Sequence, residues 1–125
     1  MVNVAALVGP LGLLVMTLRH GPVPSGRIMF AVSAEETIAL AEGVVAQAEQ
    51  CFRNIEAALI EAGSGFADVV RVTYVLPDAS EFAACWPVLR QYFGAVRPAA
   101  MMISAGLADP RMKIEIEVTA RKQGG

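Results

Sequence analysis

From Lys113 to Ala120 the chain alternates without a break. Ile114, Ile116, Val118 and Ala120 occupy one set of positions; Lys113, Glu115, Glu117 and Thr119 occupy the other. Successive side chains of a strand point to opposite faces. A strand over Met112–Ala120 therefore buries one face and offers the other to solvent or to a partner subunit. A sheet with one apolar face needs a second layer to cover it, and the chain supplies that layer. Val44, Ala48, Cys51, Ile55, Leu59 and Ala62 recur at steps of three or four residues, the spacing that lines one face of a helix. Gln47, Gln50, Arg53, Asn54 and Glu61 are expected on its other faces. Ser33 with Glu36 forms a capping-box pattern, Gly43 is a point of interruption, and Gly63 is a stop signal. The helix is expected to begin somewhere between 34 and 44 and to end at Ala62.

The remaining punctuation fills in the order. Gly9-Pro10, Gly21-Pro22 and Pro24-Ser25-Gly26 divide an apolar stretch into short strands near 3–8, 12–19 and Arg27–Val32. Asp68–Leu76 is rich in Val, Thr and Tyr, as strands are, but lacks clean alternation, which predicts cover on both faces. Ser80 is the expected N-cap of a second helix whose apolar stripe is Phe82, Cys85, Leu89 and Phe93. Pro87 cannot sit unbent inside it, so a kink or two short helices are expected. Ala99–Leu107 reads as a strand and Asp109-Pro110 as a turn. The order strands, helix, strand, helix, strand, strand predicts an α+β domain: a mixed sheet, two helices packed on one face, and the opposite face open.

With 125 residues the chain has the size of one domain. Hydrophobic residues make up 55% and charged residues 18%, against roughly 45–50% and about 25% in ordinary soluble domains. The surplus apolar surface needs an outlet. A membrane is a poor one: the longest apolar run, Val4 to Leu18, contains Gly9, Pro10 and Gly12, falls short of the ~20 residues of a spanning helix, and lacks the basic start of a signal peptide. Association with copies of itself is the outlet that remains, because obligate interfaces resemble a domain core cut in half. The isoelectric point near 5.3 and the lack of a Lys/Arg run exclude an electrostatic footprint for nucleic acid. Cys51 and Cys85 have no metal spacing and read as buried, reduced thiols of a cytosolic protein. His20, the single histidine, sits beside a turn and reads as a surface residue, so neither a metal site nor a Ser-His or Cys-His dyad is expected.

Several blocks together resemble the Rid (YjgF-like) family. Gln50-Cys-Phe-Arg-Asn54-Ile55 is similar to its helical Q-x-x-x-N-[IV] segment. Ala62-Gly63, Asp68-Val69-Val70 and Thr73 are similar to the A-G…D-[IV]-V…T strand that follows. Asp78, Phe82, Tyr92 and Phe93 match its D…F…F-F helix; Pro98-Ala99 and Ile114-Glu115-Ile116-Glu117 match its closing strands. The likeness covers residues 44–121. It is weak over the divergent 1–43, where Ser25-Gly26 stands for an S-G-Q with Arg27 in place of Gln. The resemblance implies one chorismate-mutase-like domain over 1–125, assembled as a homotrimer with small-molecule clefts between subunits. It also implies hydrolysis of reactive imines and enamines without metal or organic cofactor. In that family an arginine in a P-A-R-S strand clamps the substrate carboxylate, and a glutamate in the last strand orients water.

The chain departs from this pattern at the clamp. The motif reads Pro98-Ala99-Ala100-Met101-Met102, so Ala100 stands where the arginine is expected and Met102 where a small residue is common. Trp86 replaces an Asn expected near the cleft, and Leu11 a Tyr. Glu115 is the polar candidate retained: either it orients water or binds a ligand, or it is a solvated or interface carboxylate. Ligand contacts are expected from Ala100, Met102, Trp86, Ser25 and Gly26. Glu117 reads as structural, and Met101 as core or interface filling. Arg97 and Arg111 are the nearby cations that could replace the clamp. The expected function is a trimer that binds a small neutral or apolar metabolite without standard deaminase activity. The alternatives are an imine deaminase with a relocated anchor and a chaperone-like or regulatory interaction protein.

Overall fold

The computed structural model describes residues 2–9, 12–19, 28–31, 43–107 and 110–121, and within the first three segments the side chains of Asn3 and Val4 only. His20, Ser25, Gly26, Asp109 and the Ser33/Glu36 capping pattern lie outside the described residues.

Among the described residues six strands form one mixed sheet: β1 (Val2–Gly9), β2 (Gly12–Arg19), β3 (Ile28–Ala31), β4 (Val69–Leu76), β5 (Ala99–Ser104) and β6 (Glu115–Ala120), in the spatial order β3-β2-β1-β6-β4-β5. β4 and β5 run parallel; every other neighbouring pair is antiparallel. The helices are α1 (Val44–Glu61) and α2 (Trp86–Phe93). No helix among the described residues is long and apolar enough to cross a membrane.

The alternation of β6 settles its orientation as the sequence predicts. Ile116, Val118 and Ala120 are buried, with Ile114 just ahead of the strand. Register carries this face across the sheet: Val118 pairs with Val4 and Val72, and Ile116 with Tyr74. β4 is not covered on both faces, as its composition had implied. Val72, Tyr74 and Leu76 are buried while Val70, Thr73 and Val75 are only half-buried and Arg71 is exposed.

α1 covers the buried face with Val44, Ala48, Cys51, Ile55 and Leu59, and with Phe52, which the sequence analysis had not placed on the stripe. Phe52 stacks on Tyr92 at 4.7 Å between centroids and meets Phe93 edge-on at 5.5 Å. Phe66 closes the cluster at 5.0 Å from Tyr92 and 5.4 Å from Phe93. This aromatic packing binds α2 to α1.

The ends of α1 follow their glycines. Gly43 caps its start at φ 90°, a conformation costly for any residue with a Cβ, so it delimits the helix. At the other end Gly63, at φ 76°, donates to Ile60 O (3.0 Å), and Ser64 N donates to Leu59 O (2.8 Å). This is the Schellman arrangement.

The second helix differs from expectation at its start. Its cap is Asp78, not Ser80: the Asp78 carboxylate accepts from Ser80 N (3.0 Å) and Ser80 Oγ (2.6 Å). A 3-10 helix follows over Ala79–Cys85, and α2 begins afresh with Pro87 in its first turn, where a missing N–H costs nothing. The two-helix option is the one the chain takes. The last two strands are shorter than their composition suggests, ending at Ser104 and starting at Glu115.

Two polar residues of α1 are corrected as well. Gln47 and Asn54, expected on outer faces, are 2% and 8% exposed. Position 47 lies three residues from Val44 and four from Cys51, so helical geometry puts it on the core face whatever its polarity.

Candidate functional site

Glu115 is the first residue of β6, half-buried on the sheet face opposite the described helices. Its register neighbours are Leu7 and Val75; two residues on, Glu117 pairs with Ala5 and Thr73. Partial burial raises the Glu115 carboxyl above its ordinary value of 4.5, and the Glu117 carboxylate on the same face adds to the rise. At the far end of this face Thr119 Oγ1 donates to Asn3 Oδ1 at 2.6 Å.

Ala100 and Met102 stand on β5, the edge strand beyond β4, and every residue of β5 is exposed. Ala100 pairs with Val72 and Met102 with Tyr74, so both share the helix-side face. Met101 and Ile103 pair with Thr73 and Val75 and share the open face. One chain therefore does not bring Ala100 and Glu115 together: they lie on opposite faces of the same sheet. The 3-10 segment flanks the helix side of β5, since the Phe82 ring lies 5.1 Å from Tyr74. Trp86, the first residue of α2, leaves that segment 49% exposed. Met101, expected as core or interface filling, is 44% exposed, and Met102 and Ile103 are 36% and 41% exposed. They form an apolar band along the edge strand, not a core.

Neither expected rescuer is part of a strand. Arg97 is exposed at φ 50°, outside the alternation that would have assigned it a face. Arg111 lies in the irregular segment before β6, and its carbonyl accepts from Gln47 Nε2 at 2.9 Å. Arg71, outside the motifs that mark the other candidates, is exposed on β4 in register with Ala99 and Thr119. It stands on the open face with Glu115, and its place two residues before Thr73 on a strand is the signal that marks it. Gln47 is masked in the sequence by the opposite signal, since its polarity contradicts its place on the apolar stripe.

Cys51 and Cys85 are buried thiols; desolvation is the first cause that pushes them up to about 12 and about 11. The thiolate needed for nucleophilic or metal chemistry is suppressed. Among the described residues no group of three or more His, Cys, Asp or Glu could hold a metal ion.

Comparison with known proteins places this geometry. The family profile described as "Endoribonuclease L-PSP" matches residues 22–122. A RutC family protein of Pyrococcus abyssi is 36% identical over 77 residues, covering 62% of this chain and 61% of the relative; the chain thus spans about three fifths of that relative's length. The 2-iminobutanoate/2-iminopropanoate deaminase of Salmonella typhimurium is 31% identical, with 94% of this chain and 91% of the relative covered. A crystal structure of a YjgF/YER057c/UK114 family member from Mycobacterium tuberculosis superposes with a TM-score of 0.59 at 38% identity, covering 61% of this chain and 65% of that one. An α+β sheet with two helices on one face, a last strand that opens on a glutamate, and a profile match over most of the chain lead to one conclusion: this protein belongs to the Rid family, also known by its YjgF, RutC and L-PSP labels.

Proposed function

We propose that the chain is a single Rid-type domain over 1–125 that forms a homotrimer and binds a small neutral or apolar metabolite in a cleft between subunits, without the usual imine hydrolysis. Ala100 carries the reading. The helix-side face of β5 offers a methyl group, a thioether and a hydroxyl from Ala100, Met102 and Ser104. An arginine there would give a carboxylate two parallel charge-assisted hydrogen bonds. A carboxylate confined among these apolar groups would instead lose hydration with no partner to replace it, a cost above the ~2–7 kcal/mol of burying a neutral polar group. Two observations support a cleft shared between copies. Ala100 and Glu115 face opposite ways in one chain, and Met101, Met102 and Ile103 leave an apolar band on an edge strand, as association surfaces do.

The alternative is a deaminase with a relocated anchor, the activity that the name of the Salmonella relative carries. Arg71 favours it by sharing the open face with Glu115, yet it stands four residues along β4 from Val75, the register neighbour of Glu115. That is about 13 Å at roughly 3.3 Å per residue.

Calorimetric binding of 2-oxobutanamide and of the matching acid, 2-oxobutanoate, separates the two readings. The neutral amide should bind the wild type more tightly than the acid, and added 2-iminobutanoate should decay at its spontaneous rate. Turnover matching the Salmonella relative would end the first reading. Loss of that turnover in Arg71→Ala would establish the second.

A further inference from the structure

Glu115 is as well placed as the backbone that carries it, and that backbone starts its strand abruptly. The ladders of β6 with β1 and β4 both end at Glu115. The residues just before it are held by a side chain. Gln47 Nε2 donates to the Arg111 carbonyl at 2.9 Å, and Gln47 Oε1 accepts from Lys113 N at 2.8 Å. A donor and an acceptor offered to residues two apart is what a neighbouring strand supplies. The Gln47 amide therefore continues the sheet beyond its last backbone pair. Gln47 comes from the core face of α1 and is 2% exposed. Its neighbours there are Val44, Ala48 and Cys51, and Ile114 is fully buried between Lys113 and Glu115. The Lys113 ammonium lies 3.9 Å from the Glu81 carboxylate, a second, weaker tie to the 3-10 segment.

We propose that Gln47 is a positioning residue for Glu115: by clamping residues 111 and 113 it fixes where β6 begins and which face Glu115 takes. The inference rests on the reading of Glu115 as the polar group of the ligand site. A slip of one residue would turn Glu115 to the helix side and Ile114 to the open side. Fraying of the strand's first residue would free the carboxylate to point anywhere. An apolar residue at 47 would fill the space but remove both hydrogen bonds from these part-buried backbone groups.

Two variants and one control test this on the full chain by NMR. Gln47→Leu should lower hydrogen-exchange protection at the Lys113 amide by about tenfold or more, the scale expected for losing two hydrogen bonds. It should also move the Glu115 titration midpoint toward the ordinary carboxylate value. Gln47→Glu keeps the acceptor and should retain most of the Lys113 protection. If Gln47→Leu does not fold, Gln47→Asn, too short to span both backbone groups, takes its place. The control is Ser64→Ala, which removes the bond from Ser64 Oγ to Arg121 O (2.7 Å) at the other end of β6 and should leave both readouts in place. Unchanged readouts in Gln47→Leu, or equal changes in Ser64→Ala, overturn the proposal. The site reading has its own arm: calorimetric binding of 2-oxobutanamide to Glu115→Gln in the otherwise unchanged chain. If affinity is unchanged while the Gln47 variants still shift Glu115, the positioning role stands and the site reading falls.

Discussion

The difference between an arginine and Ala100 is large in chemistry and small in structure. Ala100 is exposed on an edge strand, so a longer side chain meets no packed neighbour, and surface changes of this kind stay within about 0.5 kcal/mol. Ala100→Arg should therefore keep the melting temperature and raise affinity for 2-oxobutanoate by about tenfold or more, the worth of a charge-assisted pair. Unchanged calorimetric affinity would show that position 100 does not face the ligand. Glu115 gives a test with a definite sign. Its carboxyl is raised in the folded chain by desolvation and by Glu117, so on acidification the folded state takes up protons before the unfolded one. The associated stability is full below the ordinary value of 4.5 and is lost as pH rises through the raised one. Urea melts across that window should show a decline with pH in the wild type that is smaller in Glu115→Gln. A decline of equal size would assign it to other groups. Asp78 has the opposite sign, since its bonds from Ser80 hold its carboxyl low.

At the scale of elements, stability is concentrated where α1 meets the sheet and α2. Phe52 is fully buried and in contact with three other rings. Phe52→Ala should cost about 3–5 kcal/mol, and Ile55→Ala about 2–5 kcal/mol, read as a lower urea midpoint at unchanged slope. A loss under 1 kcal/mol for Phe52→Ala would mean that the cluster repacks around the gap. The end of α1 is tuned by one backbone angle. Gly63, at φ 76°, makes Gly63→Ala destabilising by roughly 1 kcal/mol despite the exposed site. The same substitution at Gly94, where φ is −52°, escapes that penalty, although a Cβ there would lie 2.6 Å from the Arg90 carbonyl and force a local shift of its own.

At the scale of the whole molecule, the described helices lie on one face of the sheet, and its β5 edge is exposed and apolar. A chain with 55% hydrophobic residues does not conceal that surface alone. Native mass spectrometry should find a trimer. Met101→Lys and Ile103→Lys, both in side-chain register with the open face, should shift it to monomer while leaving the far-ultraviolet spectrum unchanged. Persistence of the trimer in both variants would move the interface elsewhere.

What the sequence determined by itself is the local structure whose signals are short-ranged. The alternation of 113–120, the three-and-four spacing of α1, Gly63 and Pro87 act within a few residues, and each produced the element expected of it. Glu115 and Ala100 were legible as candidates from their motifs, but their relation to each other was not. Whether two strand residues share a face depends on which strands pair and in what register, and the parallel β4–β5 pairing that separates them joins positions nearly thirty residues apart. Gln47 tells the same story, because its partners lie 64 and 66 residues away. A polar residue on an apolar stripe is a defect until the fold brings it partners, and for Gln47 the backbone groups it holds come from far along the chain.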